Sequence, residues 1–303
     1  MGKRTISTKK SLQLKTLLDG KEIVVAPGAS SALLAKLVEL AGFKVVYATG
    51  AGIANMQFGL PDLGLATMTE ILETVKRMND AVALPVVVDI DNGYGNALNV
   101  YRTVREFSAI GAAALQLEDQ QLPKRCGHFA GKAVISKEEM ASKIKAAKDA
   151  SLYPDLVLIA RTDAIAINGF EDAMERGALY AEAGADVIFI EAPTTVEQMR
   201  QIPRQFKLPT LVNMVEGGRT PLLNNQALQD LGFKIVLYAN APLKAAVKGA
   251  QKLLQHLQAA GTTSDCEDLM ISMKERNEVT GLPAMTSLDE RYKVQALGRS
   301  AND

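Results

Sequence analysis

The sequence predicts an α/β protein that folds as a (β/α)8 TIM-type barrel with a C-terminal helical extension. Eight short apolar runs, rich in β-branched residues, alternate with helical patterns between residues 22 and 240. The runs are continuously apolar, which is typical of parallel strands that are buried on both faces. Polar residues follow nearly every run, at the strand ends where barrel enzymes place their active sites. Together these observations favour a barrel.

The eight predicted strands are, in order, EIVVAPG (22–28), KVVYATG (44–50), PVVVDID (85–91), AALQLED (113–119), LVLIART (156–162), VIFIEAP (187–193), PTLVNMV (209–215) and KIVLYAN (234–240). Each is followed by an amphipathic helical pattern: 31–42, 68–82, 99–112, 136–150, 170–185, 195–202, 224–232 and 242–261. We expect one domain over residues 1–303, in which 241–303 form the helical extension. Residues 264–281 are predicted to be another helix, followed by a polar tail.

An open, doubly wound sheet is the competing architecture. Its dinucleotide-binding fingerprint GxGxxG is incomplete here, because Gly50-Ala51-Gly52 is followed by Asn55 at the sixth position. A polar residue at any one strand end could also be there to cap the following helix. Such caps explain less well why carboxylates recur at equivalent ends of several predicted strands, and a barrel mouth accounts for that recurrence directly.

Composition excludes several classes of function. The 34 basic and 34 acidic residues balance, so no excess charge attracts nucleic acid or an anionic membrane. With 48% hydrophobic and 22% charged residues, the chain has an ordinary globular composition. Its start lacks the apolar core of a signal peptide, and no apolar run approaches the ~20 residues of a membrane span. We therefore expect a soluble, cytoplasmic protein with no nucleic-acid or membrane partner.

A first cluster of candidate functional residues is acidic. Asp89 and Asp91 lie on the same side of one predicted strand, Glu118 ends the next, and Asp62 lies in the segment GLPDLG. Carboxylates that converge at one barrel mouth repel each other unless a cation lies between them. Oxygen ligands without histidine or cysteine favour Mg²⁺, or Mn²⁺ in its place, over Zn²⁺. The alternative for each carboxylate is a helix cap or a loop hydrogen bond.

A second cluster, Lys124-Arg125-Cys126-Gly127-His128, follows the strand that ends at Glu118. Cationic neighbours lower the pKa of a thiol, so this setting favours a reactive Cys126 over a packing residue. The second cysteine, Cys266, lacks such a context and is assigned no role. A third candidate is Arg161, because an arginine at the end of a buried strand needs an anionic partner: Glu118, Glu191 or a substrate carboxylate.

Seven segments together resemble the isocitrate lyase / phosphoenolpyruvate mutase superfamily: LPDLG (60–64), DIDNGYG (89–95), LEDQ (117–120), KRCGH (124–128), ARTDA (160–164), IEAP (190–193) and NMVEGGRTP (213–221). The resemblance covers roughly residues 20–240. It implies a barrel enzyme that binds Mg²⁺ and an α-keto- or α-hydroxycarboxylate, and it points to the short bacterial-type lyases of the superfamily. These cleave a C2–C3 bond.

The resemblance also implies roles for individual residues. It makes Asp89 the direct metal ligand and gives Asp62, Asp91 and Glu118 contacts to the ion mostly through water. It implies a backbone cradle for the substrate carboxylate at Thr49, Gly50 and Ala51, and a tyrosine beside the reacting oxygen at Tyr47. Arg161 matches the arginine on the substrate oxygens, whereas Glu191 and Asn213 match supporting or distal-carboxylate residues. Lys124, Gly127 and His128 belong to the matching gating loop, and Cys126 matches the thiol that protonates the departing carbanion.

The expected substrate follows from departures within these segments. Met214 stands where relatives that cleave a tricarboxylate carry a hydroxyl residue, and Tyr238-Ala239-Asn240 replaces their Tyr-Pro. The first expectation is therefore cleavage of (2R,3S)-2,3-dimethylmalate to propanoate and pyruvate. Cleavage of 2-methylisocitrate, hydrolysis of oxaloacetate and phosphonate P–C chemistry remain alternatives, although the loop cysteine argues against the phosphonate enzymes.

Two further expectations concern binding and assembly. A barrel that only binds a ligand would be expected to have lost some of the carboxylates, Cys126 or Arg161, yet all are present. The segment KAAVKGAQKLLQHL (244–257) has apolar residues at helical spacing that a lone barrel would leave uncovered. With the family resemblance, this predicts helices swapped between neighbours and a homotetramer that is a dimer of dimers.

Overall fold

A computed structural model describes residues 8–124 and 131–293. Its strands coincide with the eight predicted runs: β1 Val24–Ala29, β2 Val46–Ala48, β3 Val86–Asp89, β4 Ala114–Glu118, β5 Val157–Thr162, β6 Val187–Ile190, β7 Thr210–Asn213 and β8 Ile235–Tyr238. They form one closed barrel in chain order, and every neighbouring pair is parallel. β1 closes the barrel by pairing with β8, which sets Val24 opposite Ile235. The predicted TIM-type barrel is confirmed.

Helices follow the strands. They are α1 Lys9–Asp19, α2 Ala32–Leu40, α3 Gly50–Phe58, α4 Met68–Ala81, α5 Ala97–Ala109, α6 Lys137–Ala150, α7 Ile165–Asn168, α8 Phe170–Glu182, α9 Val196–Gln205, α10 Asn225–Leu231, α11 Ala241–Ala260, α12 Met273–Thr280 and α13 Leu282–Tyr292. Most begin at a Ser, Thr or Asn whose side chain accepts a hydrogen bond from the first turn, as Thr67 does for α4.

The strands are buried on both faces because they separate two apolar layers. One face packs against the helices, as Leu115 and Leu117 do, and belongs to the larger core cluster. The other face fills the barrel with a smaller cluster that includes Val87, Ile159 and Phe189. Leu14 of α1 joins this inner cluster, so α1 packs against the barrel interior. Continuous apolar runs are the sequence signature of this two-sided burial.

Three helices before residue 248, α1, α3 and α7, were not anticipated from the sequence. α1 precedes the first strand, and α3 follows β2 directly, where the glycine-rich segment from Gly50 to Gly52 has low helix propensity. Thr49 supplies the missing stabilisation, because its side chain caps α3 by accepting a hydrogen bond from the backbone N–H of Gly52 at 3.2 Å.

The chain divides into two compact units, Met1–Val247 and Lys248–Asp303. In the second unit, the predicted single helix over 264–281 is wrong. A 3₁₀ turn at Glu267–Leu269 precedes α12, which starts at a capping box formed by Ser272 and Glu275. α12 ends at Gly281, whose φ of 82° only glycine adopts readily, and α13 occupies the segment expected to be a polar tail.

Among the helices of the described residues, none is both long enough and apolar enough to span a membrane.

Candidate active site

The carboxyl ends of the strands bring the predicted site residues together around one cavity of about 50 Å³. Parallel strands in a closed barrel all end on the same side, so side chains far apart in sequence become neighbours. The lining residues are Tyr47, Thr49, Ala51, Asp62, Asp89, Glu118, Lys124, Arg161, Glu191, Asn213, Val215, Ala239 and Asn240. Ten of these were predicted as site residues.

One wall of the cavity is acidic, and Lys124 is its counter-ion. The ammonium of Lys124 forms an ion pair with Asp62 and lies 2.6 Å from Oδ1 of Asp91. Burial alone lowers the pKa of Lys124, but the charges of Asp91 and Asp62 outweigh it, so the pKa lies well above its usual value. Lys124 is therefore protonated and neutralises part of the acidic wall.

The loop after β3 gives the acidic wall its shape. Asp91 has a φ of 47°, in the left-handed region, and its N–H donates to Oδ1 of Asp89 at 3.1 Å. The N–H of Gly50 donates to the other oxygen of Asp89 at 3.4 Å. A Cβ at Gly50 would lie 3.2 Å from that oxygen, so a larger residue would press on the carboxylate. Gly50 and Asp91 thus border the cavity residues without lining the cavity themselves.

Burial raises the proton affinity of two carboxylates of this wall, Asp91 and Glu118. It raises the pKa of Asp91 to about 6, with Asp89 and Asp62 adding to the shift and Lys124 opposing it. Burial also raises the pKa of Glu118 well above its usual value, although Arg161 opposes the shift. Carboxylates so disfavoured as anions gain most from a cation placed among them.

Arg161 forms the basic wall of the cavity, next to Glu118. Its Nε lies 3.5 Å from Glu118 and its Nη2 lies 4.0 Å from Glu191, at the long limit of an ion pair. The shortest contacts go to Asp163, a residue that sequence reasoning left out of the site: Nε and Nη2 donate to its two oxygens at 2.9 and 3.0 Å. The sequence did contain a signal for this contact, because Arg161 and Asp163 are two residues apart at a strand end and so lie on the same side of the strand.

Tyr47 projects from β2 into the cavity as a neutral hydroxyl. Burial, followed by the nearby negative charge of Asp89, raises its pKa well above the usual value. The phenol is therefore protonated and can donate a hydrogen bond to a substrate oxygen. At the end of the same strand, Thr49 donates to Oδ1 of Asn240 at 3.2 Å. Asn240, Val215 and Ala239 also line the cavity but were not predicted as site residues.

The acidic wall fits a hard divalent cation by its chemistry. Asp62, Asp89, Asp91 and Glu118 supply only oxygen donors, and Oε1 of Glu118 is buried without a hydrogen bond from the described residues. Within the described ranges, no three histidine, cysteine or carboxylate side chains already form a metal-binding cluster. Instead, the Lys124 ammonium lies between Asp62 and Asp91.

Three predicted site residues, Cys126, Gly127 and His128, lie outside the described residues. The residues that flank this segment are described. Lys124 is buried against the acidic wall, and the ammonium of Lys132 lies 3.1 Å from Asp163. The roles predicted for Cys126, Gly127 and His128 therefore remain predictions.

Comparison with known proteins agrees with this geometry. Residues 14–258 match the phosphoenolpyruvate phosphomutase family. The chain belongs to this family. The relatives that it resembles in sequence are lyases of the phosphoenolpyruvate mutase/isocitrate lyase superfamily, and the chain is accordingly a carbon–carbon lyase of this superfamily.

Two relatives illustrate the similarity in sequence. The chain is 45% identical to 2,3-dimethylmalate lyase of Eubacterium barkeri over 280 residues, which cover 92% of this chain and 97% of the relative. It is 43% identical to 2-methylisocitrate lyase of Aeropyrum pernix over 270 residues, covering 89% of this chain and 87% of the relative. The relatives thus carry two different substrate names at similar identity.

Solved structures show the same fold. Oxaloacetate acetylhydrolase in complex with the inhibitor 3,3-difluorooxalacetate superposes with a TM-score of 0.90 at 33% identity, covering 95% of this chain and 98% of that one. Phosphonopyruvate hydrolase in complex with oxalate and Mg²⁺ superposes with a TM-score of 0.84 at 31% identity, covering 94% and 99%. The barrel is therefore shared by enzymes of different specificity, and the site residues must decide the substrate.

Proposed function

We propose that this lyase cleaves the C2–C3 bond of a 2-hydroxy dicarboxylate, with (2R,3S)-2,3-dimethylmalate giving propanoate and pyruvate, and that it uses Mg²⁺, for which Mn²⁺ can substitute. The observation that carries the proposal is the cavity that brings together several carboxylates, an arginine and a neutral tyrosine hydroxyl. The 45% identity to a 2,3-dimethylmalate lyase over nearly the whole chain supports the choice of substrate.

The acidic wall would hold the metal ion through Asp89, with Asp62, Asp91 and Glu118 around it. When bound, Mg²⁺ supplies Lewis-acid charge for the oxygen atoms of the substrate. Its presence with oxalate in phosphonopyruvate hydrolase, which has the same fold, supports the assignment. Asp91, whose pKa is about 6, is deprotonated at neutral pH and is available as a ligand.

The chain's own residues bind and orient the substrate. Arg161 places a fixed positive charge in the cavity lining, where it can take a substrate carboxylate. The N-terminus of α3 at Thr49, Gly50 and Ala51 offers backbone N–H groups to the other carboxylate. The protonated hydroxyl of Tyr47 donates to the oxygen on C2.

The reaction transfers two protons and breaks one bond. The hydroxyl on C2 releases its proton to solvent, from which the proton donor is later restored, the C2–O bond becomes a carbonyl, and the C2–C3 electron pair passes to C3. The carbanion at C3 is stabilised by the adjacent carboxylate and takes a proton to give propanoate. We assign that proton to Cys126, with Lys124 and His128 as cationic partners of the developing charge.

The apolar part of the cavity lining supports a substrate with methyl groups. Val215 and Ala239 line the cavity and suit methyl substituents better than an additional carboxymethyl group. Met214 does not carry this argument, because it is buried in the outer core cluster and does not line the cavity. We therefore assign the choice of substrate to Val215 and Asn240, which line the cavity, and no longer to a missing hydroxyl at Met214.

A second candidate substrate is 2-methylisocitrate, because several relatives with 39–43% identity are 2-methylisocitrate lyases. It would give succinate and pyruvate by the same chemistry. Oxaloacetate hydrolysis and phosphonate cleavage are supported by structural neighbours at 31–33% identity, below the identity of the sequence relatives named above.

The discriminating experiment measures kcat/KM for 2,3-dimethylmalate, 2-methylisocitrate, oxaloacetate and phosphonopyruvate under one set of conditions with Mg²⁺. Pyruvate is detected by coupling to lactate dehydrogenase where it is the product, and oxalate or phosphate is measured otherwise. We expect 2,3-dimethylmalate to give the highest value. A higher value for another substrate would transfer the assignment to it, and no pyruvate from either 2-hydroxy acid would refute it.

We further propose a homotetramer that is a dimer of dimers. In the described part of the second unit, residues 248–293, Cys266 is the only buried residue. Large apolar side chains are exposed there instead, including Leu254, Ile271, Met273 and Met285. Apolar residues exposed in this number require a partner surface, and a second copy of the chain is the partner we assign.

A further inference from the structure

Arg161 is held by a buried carboxylate that the proposed reaction does not use. Both oxygens of Asp163 accept hydrogen bonds from one edge of the guanidinium, the edge formed by Nε and Nη2. The guanidinium also lies over the ring of Phe189, with its carbon 5.3 Å from the ring centroid. A bidentate pair and a ring together restrict both the plane and the rotation of the guanidinium.

Asp163 has two further partners, one at its side chain and one at its backbone. The ammonium of Lys132 lies 3.1 Å from its Oδ1, and both side chains of that pair are buried. The backbone N–H of Asp163 donates to Oδ1 of Asp119 at 3.0 Å. The other oxygen of Asp119 accepts from Tyr180 at 2.7 Å and from Arg176 at 3.2 Å. The position of Asp163 is therefore determined by α8 as well as by β5.

The charges in this cluster are arranged so that Asp163 remains ionised. Burial alone raises the pKa of Asp163, but Arg161 and Lys132 outweigh it, so the pKa lies below its usual value. Glu118 and Glu191 are more distant from Arg161, at 3.5 and 4.0 Å. Asp163 is thus the carboxylate that sets the orientation of Arg161, and Lys132 offsets the charge that Asp163 contributes.

We propose that Asp163, supported by Lys132, is a positioning residue that turns the remaining edge of Arg161 towards the cavity for a substrate carboxylate. Arg161 contacts Asp163 through Nε and Nη2, so its Nη1 takes no part in this contact. The Arg161 side chain also lines the cavity. The proposal rests on the proposed function only in taking a small dicarboxylate as the ligand.

The test measures binding of oxalate in the presence of Mg²⁺ by calorimetry, together with kcat and KM for 2,3-dimethylmalate. Asp163→Asn should weaken oxalate binding roughly ten- to hundredfold, the effect of one hydrogen bond to a charged group. It should raise KM more than it lowers kcat. The matched control is Asp186→Asn, because Asp186 also accepts from a lysine and from a backbone N–H, but at the amino end of β5. It should bind oxalate as the wild type does.

A double-mutant cycle separates positioning from a structural role. In Arg161→Lys the bidentate pair cannot form, so adding Asp163→Asn should change oxalate affinity less than about twofold. If the two substitutions instead reduce affinity independently, or if Asp163→Asn binds oxalate as tightly as the wild type, the proposal is overturned. A wild type that binds oxalate but does not cleave 2,3-dimethylmalate would refute the proposed function and leave this inference standing.

A second pair of variants covers the case in which Asp163→Asn fails to fold. Removing both partners of a buried ion pair costs less than removing one, so Arg161→Ala/Asp163→Asn is the safer variant. Added methylguanidinium should restore oxalate binding to Arg161→Ala, where Asp163 can still hold it, and should not restore binding to the double variant. Equal restoration in both would show that Asp163 does not position the cation.

Discussion

At the residue scale, the two walls of the cavity differ in how firmly their charges are held. Arg161 is fixed by Asp163 and Phe189, whereas the acidic wall is neutralised by one lysine, Lys124. Lysine is a compact charge on a flexible stem, so it can be exchanged for another cation more readily than a bidentate arginine can. Lys124 is therefore the exchangeable charge at the proposed metal site, and Arg161 is the fixed charge for the proposed substrate carboxylate.

Asp89 provides the first prediction. Because Asp89 is the proposed direct ligand, Asp89→Ala should abolish Mg²⁺-dependent turnover. The far-ultraviolet circular dichroism of the variant should stay unchanged. Turnover is measured as pyruvate release with and without EDTA. Glu73→Ala on the exposed face of α4 is the control and should behave as the wild type. Normal turnover of Asp89→Ala, or of the wild type in EDTA, would remove the metal from the mechanism.

Cys126 provides the second prediction. Cys126→Ser should retain Mg²⁺ and pyruvate binding but lose cleavage, because a serine hydroxyl is a far weaker acid than a thiol. General acid catalysis alone contributes ~10²–10⁴-fold. Cys266→Ser, which changes a buried thiol in the second unit, should leave kcat unchanged. A kcat for Cys126→Ser within about tenfold of the wild type would fall short of any general-acid role.

At the scale of elements, α3 links the fold to the site. Its N-cap Thr49 accepts from Gly52 and also donates to Asn240 across the barrel mouth. The first N–H of α3, that of Gly50, points to Asp89. One helix start thus contacts the acidic wall and the end of β8.

Thr49→Val tests that link, because it keeps the shape of the side chain but removes both hydrogen bonds. We expect a loss of roughly 0.5–2 kcal/mol in the free energy of unfolding, the usual effect of losing a cap, and a higher KM. Both are measured, by denaturant unfolding and by steady-state kinetics. Thr49→Ser keeps the hydroxyl and should recover most of both losses, and a serine variant as weak as the valine variant would exclude the hydrogen bonds as the cause.

A second element, α6, supports the loop that carries Asp91. The buried ammonium of Lys143 donates to the carbonyl of Asn92 at 3.1 Å. Lys143→Met should lower the free energy of unfolding by about 1–3 kcal/mol, because it leaves that carbonyl without its donor. Lys145→Met, an exposed position on the same helix, is the matched control and should change the stability little. Equal stabilities of the two variants would contradict this role of α6.

At the scale of the whole molecule, exposed apolar residues of the second unit predict assembly. Sedimentation of the wild type at micromolar concentration should show a tetramer. Leu254→Asp, which places a charge on an exposed apolar position of α11, should shift the population to smaller species. Lys252→Asp lies two residues away and should leave the tetramer intact. A wild type that sediments as a monomer would contradict the proposed assembly.

The sequence by itself determined the barrel and most of the residues at its mouth. Continuous apolar runs such as PVVVDID indicate burial on both faces of a strand, and this pattern is contained within one short segment of the sequence. Because parallel strands end on one side of a barrel, polar residues such as Asp89, Glu118 and Asn213 could be assigned to one site before any contact was known. The same reasoning missed α3, because a glycine-rich segment has low helix propensity and only its cap reveals the helix.

Only the tertiary structure decided which charges meet. Lys124 and Asp62 are distant in sequence, and Asp119 contacts Arg176 and Tyr180 of α8 only because strand register sets β4 beside β5. The structure likewise showed that Met214 faces the outer core, whereas Val215 lines the cavity. Such contacts depend on closure of the barrel and on the register of its strands, which no short segment encodes, because both arise from the packing of all eight strands together.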